Sequence, residues 1–376
     1  MKKGWKEISV GEILQLEYGK PLDRSARKPN GRFPVYGANG EKDRTDKFYH
    51  AERSIIVGRK GSAGEINLTE KKFWPLDVTY FVTFDEQRYD LRFLYYLLTT
   101  LDLPKLAKGV KPGINRNEVY SQITRVPPLP EQQRIVGILD EAFAGIAAAK
   151  ANAEQNLQNA CALFESRLQS VFTRRPDEPD KISLSELATD ITDGDHSPPP
   201  KAPRGVPFIT ISNIVKRTRE VDFSNTFAVP EKYFDNLKPN KKPRVGDVLY
   251  TVTGATLGIP VLVREQRDFC FQRHIGLIRP KPDTDSSWLT YALLSPQVFR
   301  QATIGSTGAA QKTVSLKVLR GLKVPRLAFT QQKRIAARLD ALSDETQRLE
   351  SIYQRKLAAL EALKKSLLHQ AFTGAL

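Results

Sequence analysis

Two long stretches of the chain carry apolar or small residues at steps of three and four positions. They cover residues 131–172 and 330–371. Such spacing places one apolar stripe along a helix and predicts two α-helices, each about 63 Å long at roughly 1.5 Å per residue. Pro130 suits the first turn of the first helix, whereas Thr330 suits the N-cap of the second and Gly374 its C-cap.

The two helical stretches repeat one another. The first begins EQQRIVGILD and the second TQQKRIAARLD, so that Asp140 and Asp340 correspond at an offset of 200 positions. Weaker matches extend upstream: FLYYLL resembles WLTYAL at an offset of 195, and ISVGEI resembles ISLSEL at an offset of 174. SIIVGRKGSAG likewise resembles DVLYTVTGATLG. The ordered offsets predict a duplicated unit of one globular domain followed by one helix.

The segments outside the helices predict mixed α/β domains. Candidate strands and candidate helices alternate there. The strands are residues 78–84, 208–215, 247–252 and 259–263, and the helices are residues 91–101 and 286–294. The predicted division is a first domain at 1–130, a helix at 131–173, a second domain at 174–329 and a helix at 330–376. Because each helix leaves one domain and leads towards the other, we expect an antiparallel coiled-coil pair and a pseudo-two-fold internal repeat.

Charge points to a polyanion as partner. The 376 residues include 58 Lys and Arg against 42 Asp and Glu, a formal net charge of +16. Residues 1–130 hold +7 and residues 173–329 hold +8, so both domains are basic. No apolar run suits a membrane span, MKKGWKEI lacks the apolar part of a secretory signal, and two cysteines make no disulfide framework. We therefore expect a protein of the reducing cytoplasm.

Basic residues beside glycines or turns are the candidates for phosphate and base contacts. Arg and Gln suit bidentate contacts to guanine and adenine edges, and a glycine turn after Lys60 would bring backbone N–H groups near a phosphate. For any one of them, simple solubility is the alternative. The candidates for DNA binding are Lys42, Arg44, Arg59, Lys60, Lys108, Lys111, Arg116, Lys201, Arg204, Lys216, Arg217, Arg219, Arg273, His274, Gln311 and Lys312.

Catalytic motifs are missing from the sequence. It contains neither a phosphate-binding GxxxxGK[ST] nor GxGxxG, and no Asn-Pro-Pro-aromatic stretch of the amino-methyltransferase type. Asp193, Asp195 and His196 resemble a metal trio, but an Asx-type turn is the better interpretation. With only four histidines, the sequence favours a chain without catalytic residues and without a metal site.

The repeated and flanking motifs resemble a known family. VPPLPEQQRIVGILD, its copy VPRLAFTQQKRIAARLD and the ending HQAFTGAL resemble the conserved regions of type I restriction–modification specificity subunits. DGDHSPPP, GVPFITISNI and GDVLYTVTGATLG resemble segments of their target-recognition domains. The resemblance covers nearly the whole chain, although the second copy has LAFTQQKRI in place of LPEQQRI and the first domain matches less closely.

The resemblance implies two target-recognition domains that each read half of a bipartite DNA site. Two adenine methyltransferase subunits would dock on the chain, and a restriction subunit that translocates DNA would join them. S-adenosylmethionine, ATP and magnesium would belong to these partners, and this chain would bind no cofactor. We expect an asymmetric site with a gap of about 5–8 base pairs, because the helices set the separation of half-sites about one turn apart. Two alternatives stay open: a DNA-acting enzyme with an unrecognised site, and a basic coiled-coil scaffold that binds nucleic acid.

Overall fold

The structure, a computed structural model, describes residues 4–173, 180–308 and 312–376. These residues form two compact units. Unit 1 comprises the chain up to Glu154 together with Gln354–Leu376, and unit 2 comprises Gln155–Tyr353. The predicted start of the second domain, residues 174–179, and the candidate Gln311 lie outside the described residues.

Unit 1 contains three short helices and nine strands before its first long helix. The helices are α1 (Val10–Ile13), α2 (Leu91–Thr100) and α3 (Arg116–Tyr120). The strands are β1 (Lys6–Ser9), β2 (Leu14–Tyr18), β3 (Phe33–Gly37), β4 (Gly40–Thr45), β5 (Ser54–Gly58), β6 (Ile66–Thr69), β7 (Trp74–Pro75), β8 (Thr79–Phe84) and β9 (Ile123–Val126).

The main sheet of unit 1 is antiparallel in the order β2-β8-β5-β6. A smaller sheet has the order β4-β3-β7, and β1 pairs with β9. Asp90 is the N-cap of α2, and its side chain accepts hydrogen bonds from the N–H groups of Arg92 and Phe93. Its apolar face, with Phe93 and Leu97, is buried in a core that also contains Leu16 and Val82 of the main sheet. The helix predicted at 91–101 and the strand predicted at 78–84 are confirmed.

Two long helices connect the units. They are α4 (Leu129–Phe172), with 44 residues, and α10 (Phe329–Thr373), with 45 residues. Thr330 lies inside α10 rather than at its N-cap, so that prediction was wrong: the helix begins at Phe329, and the side chain of Gln331 accepts from the N–H of Ala328. Gly374 has a φ of +79°, as the C-cap prediction requires.

Over its described residues, unit 2 repeats the plan with five short helices and eleven strands. The helices are α5 (Leu184–Leu187), α6 (Glu231–Asp235), α7 (Ser286–Leu294), α8 (Pro296–Gly305) and α9 (Leu316–Gly321), with short 3-10 turns between some of them. The strands are β10 (Lys181–Ser183), β11 (Ala188–Asp193), β12 (Val206–Ile209), β13 (Ile214–Val215), β14 (Glu220–Val221), β15 (Phe227–Val229), β16 (Val248–Thr251), β17 (Pro260–Leu262), β18 (Cys270–Phe271), β19 (Ile275–Pro280) and β20 (Lys323–Pro325).

The main sheet of unit 2, in the order β11-β19-β16-β17, has the same antiparallel pattern as that of unit 1. The strands predicted at 247–252 and 259–263 and the helix predicted at 286–294 are confirmed. The single strand predicted at 208–215 is wrong in its middle. There the side chain of Asn213 accepts from the N–H of Thr210 at 2.9 Å and donates to the carbonyls of Asp222 and Asn225, which holds a turn between β12 and β13.

Within each unit the two long helices run antiparallel. In unit 1, Arg134 donates to the carbonyl of Leu376 at 2.9 Å, and Lys150 pairs with Glu361 at 2.7 Å. Residue numbers therefore rise along α4 as they fall along α10. In unit 2, the thiol of Cys161 lies 3.3 Å from the carboxylate of Glu350. Further along, α4 buries Phe172 in the same core as Leu339 of α10.

Matching hydrogen bonds confirm the repeat. The side-chain oxygen of Gln132 accepts from the N–H of Asp90 at 2.9 Å, and that of Gln332 accepts from Asp285 at 2.9 Å. Tyr96 donates to the carboxylate of Asp140, as Tyr291 donates to that of Asp340. The partners are offset by 195 positions before the long helices and by 200 within them, as the sequence predicts.

Candidate nucleic-acid interface

Two loops of unit 1 meet and bring several predicted residues together. We call residues 59–61, after β5, and residues 108–113, before α3, the basic loop pair. The N–H of Ile114 donates to the carbonyl of Arg59 at 3.0 Å, and the N–H of Gly61 donates to that of Pro112 at 2.9 Å. Lys60, Lys108 and Lys111 are exposed on the loop pair, and α3 begins close by at Arg116.

At the predicted glycine turn, the backbone N–H groups of residues 59–61 are already hydrogen-bonded within the protein. The N–H groups of Arg59 and Lys60 both donate to the carbonyl of Val78, and that of Gly61 is bonded to Pro112. These donors are therefore occupied within the protein. Gly61 is needed for its backbone conformation, since its φ is +83°, which side chains rarely allow. At residues 59–61, phosphate contacts would come from the side chains.

An exposed tyrosine, which the sequence analysis did not single out, lies between two of the predicted arginines. The ring of Tyr18, at the end of β2, is 46% exposed. The guanidinium carbons of Arg59 and Arg116 lie 5.2 and 5.0 Å from its centroid, within the range of cation–π attraction. Arg59 also donates to the carbonyl of Asp77 at 2.7 Å. Tyr18 therefore holds both guanidinium groups near the basic loop pair.

Lys42 and Arg44 lie on a different part of unit 1. Both belong to β4 of the smaller sheet. Arg44 is half-buried, and its guanidinium donates to the carbonyls of Gly31 and Arg32 at 2.9 and 3.2 Å. It therefore fastens its own loop. Lys42 is exposed, and its role in DNA binding stays a prediction.

Unit 2 has a matching pair of loops with different chemistry. The N–H of Val314 donates to the carbonyl of Val252 at 2.8 Å, as Ile114 does to Arg59 in unit 1. Thr307 and Thr313 close the second loop with two backbone hydrogen bonds of 3.0 and 2.8 Å, as Lys108 and Gly113 do. The hydroxyls of Thr253 and Thr313 are 3.0 Å apart. The threonines Thr253 and Thr307 thus occupy the positions of Lys60 and Lys108 in unit 1, and Lys312 is exposed nearby.

Arg273 and His274 lie next to this second loop pair. The carbonyl of His274 accepts from the N–H of Val252 at 3.0 Å, and the N–H of Arg273 donates to the carbonyl of Asp195 at 3.2 Å. Burial, reinforced by the charge of Arg273, lowers the pKa of His274. At neutral pH its ring is therefore an uncharged donor and acceptor.

Asp193, Asp195 and His196 bond in a way that neither sequence interpretation foresaw. The carboxylate of Asp193 lies 2.9 Å from the ring of His196. That of Asp195 accepts from the hydroxyl of Tyr233 and from the ammonium of Lys241. Side-chain bonds, rather than an Asx turn, thus fix the loop that follows β11. Over the described ranges, no three or more His, Cys, Asp and Glu side chains are grouped so that they could hold a metal ion.

The structure separates the remaining basic candidates of unit 2 into two groups. Lys201 lies over the ring of Phe227, with 5.2 Å from ammonium to centroid, and Arg204 is exposed on the same loop. The other three candidates lie between β13 and β14, where two of them contact the long helices. They comprise Lys216, Arg217 and Arg219. The DNA contacts predicted for these five residues stay a prediction.

Arg217 and Arg219 join the β13–β14 turn to α4 and α10. Arg217 pairs with Glu350 at 3.0 Å. Arg219 donates to the hydroxyl of Ser343 at 3.3 Å, and its guanidinium lies 5.1 Å from the ring centroid of Phe164. Burial lowers the pKa of Arg219, and its φ of +57° is unusual outside glycine. These contacts give both arginines a role in packing the turn against the long helices. Their role in DNA binding stays a prediction.

Comparison with known proteins agrees with the repeated plan. A family model described as the type I restriction modification DNA specificity domain matches residues 2–158 and 185–358. The type I restriction enzyme EcoBI specificity subunit of Escherichia coli is 24% identical over 419 residues, covering 99% of this chain and 86% of that one. A Haemophilus influenzae relative named as the specificity subunit S.HindORF215P is 28% identical over 141 residues, and the match spans only 36% of its length.

A solved structure shares the fold over the full length. It is a chain from work on complex assembly and conformational transition of the type I R-M system, with a TM-score of 0.77 and 19% identity, covering 100% of this chain and 99% of that one. None of the helices in the described ranges is long and apolar enough to cross a membrane. Since the family model matches most of the chain in two copies, the chain belongs to the family of type I restriction–modification DNA specificity proteins.

Proposed function

We propose that this chain is the DNA-specificity subunit of a type I restriction–modification complex. Each unit would read one half of an asymmetric bipartite site in double-stranded DNA. The observation that carries the proposal is the pair of closed loops that recurs in both units with different side chains. The repeated backbone bonds supply the same frame, while lysines in unit 1 and threonines in unit 2 supply different contacts. Because their side chains differ, the two units would recognise different base sequences.

The chain would act without catalytic residues of its own and would position its partners on DNA. Two methyltransferase subunits would bind S-adenosylmethionine and methylate adenine, and restriction subunits would use ATP and magnesium. This chain would then act in the cytoplasm of a prokaryote. The family membership and the names of the relatives support this assignment.

Adenine methylation across the genome tests the proposal. It would be mapped by single-molecule sequencing in the source strain, with the gene intact, deleted and restored. We expect one asymmetric, gapped motif to lose methylation on deletion and to regain it on restoration. If deletion changes no motif although the restored protein and its methyltransferase are expressed, the specificity assignment is wrong. Cutting or methylation of DNA by the purified chain alone would favour a stand-alone enzyme.

Restoration with variants tests whether the basic loop pair takes part. The double variant Lys60→Gln, Lys111→Gln removes two exposed charges, each of which would neutralise a phosphate. We expect methylation of the motif to fall at sites throughout the genome while the motif itself stays the same. The matched control is Lys47→Gln, Lys71→Gln, two exposed lysines of unit 1 outside the loop pair, and it should restore methylation fully. Equal losses in both variants would show a general charge effect instead.

A further inference from the structure

The tip of the second loop in the basic loop pair carries a fully exposed aliphatic side chain. Val110 has a relative exposure of 108%, the largest among the exposed large hydrophobic residues that the structure describes. It follows Gly109, whose φ of +92° turns the chain at the tip. Single exposed hydrophobic residues are common, so exposure alone says little. What distinguishes Val110 is the rigidity and the charge of its surroundings.

The loop that presents Val110 is fixed at both ends. Lys108 and Gly113 exchange two backbone hydrogen bonds of 3.0 Å each, which leaves only four residues in the loop. Pro112 restricts one of the four, and its carbonyl is bonded to the N–H of Gly61. Valine itself has few side-chain rotamers because it is branched at Cβ. The position of its methyl groups is therefore set in advance, so ordering them on binding costs little entropy.

Cations flank the apolar tip. Lys111 follows Val110 directly, and Lys60 is exposed on the adjoining loop. Lys108 is also exposed, although it pairs with Glu118. A protein partner with an apolar pocket would not need such a ring of positive charge. A DNA groove would favour flanking cations, because phosphates border the groove on both sides while the base edges lie at its floor.

We propose that Val110 reads the C5 methyl group of a thymine in the half-site bound by unit 1. A valine side chain has no hydrogen-bonding group, and the thymine methyl is the apolar feature that base pairs present in the major groove. That groove, about 12 Å wide, admits a narrow loop. Lys60 and Lys111 contact phosphates beside it. The inference rests on the proposed function, since it assigns one base contact within the same DNA site.

A double-mutant cycle between protein and DNA tests the contact. The full chain is purified with its methyltransferase subunits and bound to a duplex that contains the motif found by methylation mapping. Each thymine of the motif is replaced singly by deoxyuridine, which lacks only the methyl group. Wild type should lose about fourfold in affinity at one thymine, the equivalent of one buried methyl-sized group. On thymine DNA, Val110→Ala should bind about fourfold more weakly than wild type. Replacing that thymine by deoxyuridine should not weaken the binding of the variant any further.

Ile123→Ala provides the matched control. Ile123 is an aliphatic residue of unit 1 with 62% exposure, and it belongs to β9 rather than to the loop pair. This variant should bind as wild type does and keep the full sensitivity to uracil. Both side chains are exposed, so both variants should keep the melting temperature of wild type.

Several outcomes overturn the proposal. One is unchanged affinity of Val110→Ala, another is full uracil sensitivity in that variant, and a third is that no thymine in either half-site responds to uracil. An equal loss on motif and scrambled duplexes would place Val110 at the backbone, and poorer co-purification would place it against a protein subunit. Failure of the proposed function looks different, because wild type itself would then not prefer the motif to the scrambled duplex.

Discussion

At the scale of single residues, one aromatic ring organises two arginines of unit 1. Tyr18 has Arg59 and Arg116 within 5.2 Å of its ring centroid, and it packs edge-on against the buried Tyr80 at 5.1 Å. Two exposed cation–π contacts are worth about 0.5–1 kcal/mol each. Without the ring, both guanidinium groups would sample more positions, and a larger entropy cost would accompany DNA binding.

Tyr18→Ala should therefore weaken binding to the motif duplex by about three- to tenfold, whereas Tyr18→Phe should bind nearly as wild type because the ring is kept. Fluorescence anisotropy at one fixed salt concentration measures both. Equal losses in the two variants would assign the effect to the tyrosine hydroxyl, and no loss in either would remove Tyr18 from the interface.

Residue chemistry explains which site predictions the sequence could support. Arg59 and Lys60 were found because a glycine turn follows them, and the structure brings them beside Lys108 and Lys111. Val110 was missed because an apolar residue between lysines has no periodicity to mark it. The packing of Arg219 was not predicted, because its partners Phe164 and Ser343 are far away in sequence and only tertiary packing brings them together.

At the scale of secondary-structure elements, a buried glutamine fastens the start of α4 to α2. Gln132 is 1% exposed. Its side chain accepts from the N–H of Asp90 and donates to the carbonyls of Arg88 and Pro127 at 3.1 and 2.9 Å. Because Asp90 is the N-cap of α2, this one side chain fixes the position of the short helix relative to the long one.

Gln132→Ala should lower the free energy of unfolding of unit 1 by about 2–4 kcal/mol, since it leaves buried polar backbone groups without partners. Urea unfolding followed by circular dichroism measures the change. Gln133→Ala is the control on the same helix and in the same unit, because the neighbouring Gln133 is exposed. Its effect should stay within about 0.5 kcal/mol. Similar losses in both variants would mean that helix propensity, rather than the buried bonds, is responsible.

The junction of α2 and α4 also predicts a dependence on alkaline pH. Burial, together with the hydrogen bond to Asp140, raises the pKa of Tyr96 to about 12, above its usual value near 10. The folded state thus favours the neutral phenol. The resulting stability is complete below pH of about 10 and is lost as pH rises towards 12.

The midpoint of urea unfolding should consequently fall between about pH 10 and 12, and Tyr96→Phe should make that fall shallower. The variant keeps the aromatic ring, and Asp140 keeps its ion pair with Arg92 at 2.8 Å. Burial also raises the pKa of Tyr80 to about 12. Part of the pH dependence of the unfolding midpoint should therefore remain in the Tyr96→Phe variant. An identical pH profile for wild type and variant would rule out Tyr96 as a source.

Elements differ in how well the sequence predicts them. The long helices and α2 follow from periodicity, because their apolar stripes are set by the residues themselves. Sheet order does not follow, since β2 pairs with β8 and β8 with β5 across long sequence separations. The strand expected at 208–215 is interrupted because Asn213 satisfies backbone groups on both sides of a turn, a choice that hydrophobicity cannot reveal.

At the scale of the whole molecule, α4 and α10 both pass from one unit to the other. The unit boundary falls after Glu154 on α4 and after Tyr353 on α10. If each unit reads one half-site, the length of this helical connection should set the gap between them. The prediction concerns spacing alone, because the loop pairs that would contact DNA lie outside the helices.

Inserting seven helix-forming residues at both boundaries should lengthen each helix by about 10 Å, since an α-helix rises roughly 1.5 Å per residue. Seven residues also return the apolar stripe to nearly the same face. At about 3.4 Å per base pair, the gap in the methylated motif should grow by about three base pairs while both specified blocks stay unchanged. Methylation mapping with the variant measures this directly.

An insertion in one helix alone should abolish methylation, because the helices no longer match in length. An unchanged gap with altered blocks would refute the idea that the helices set the spacing.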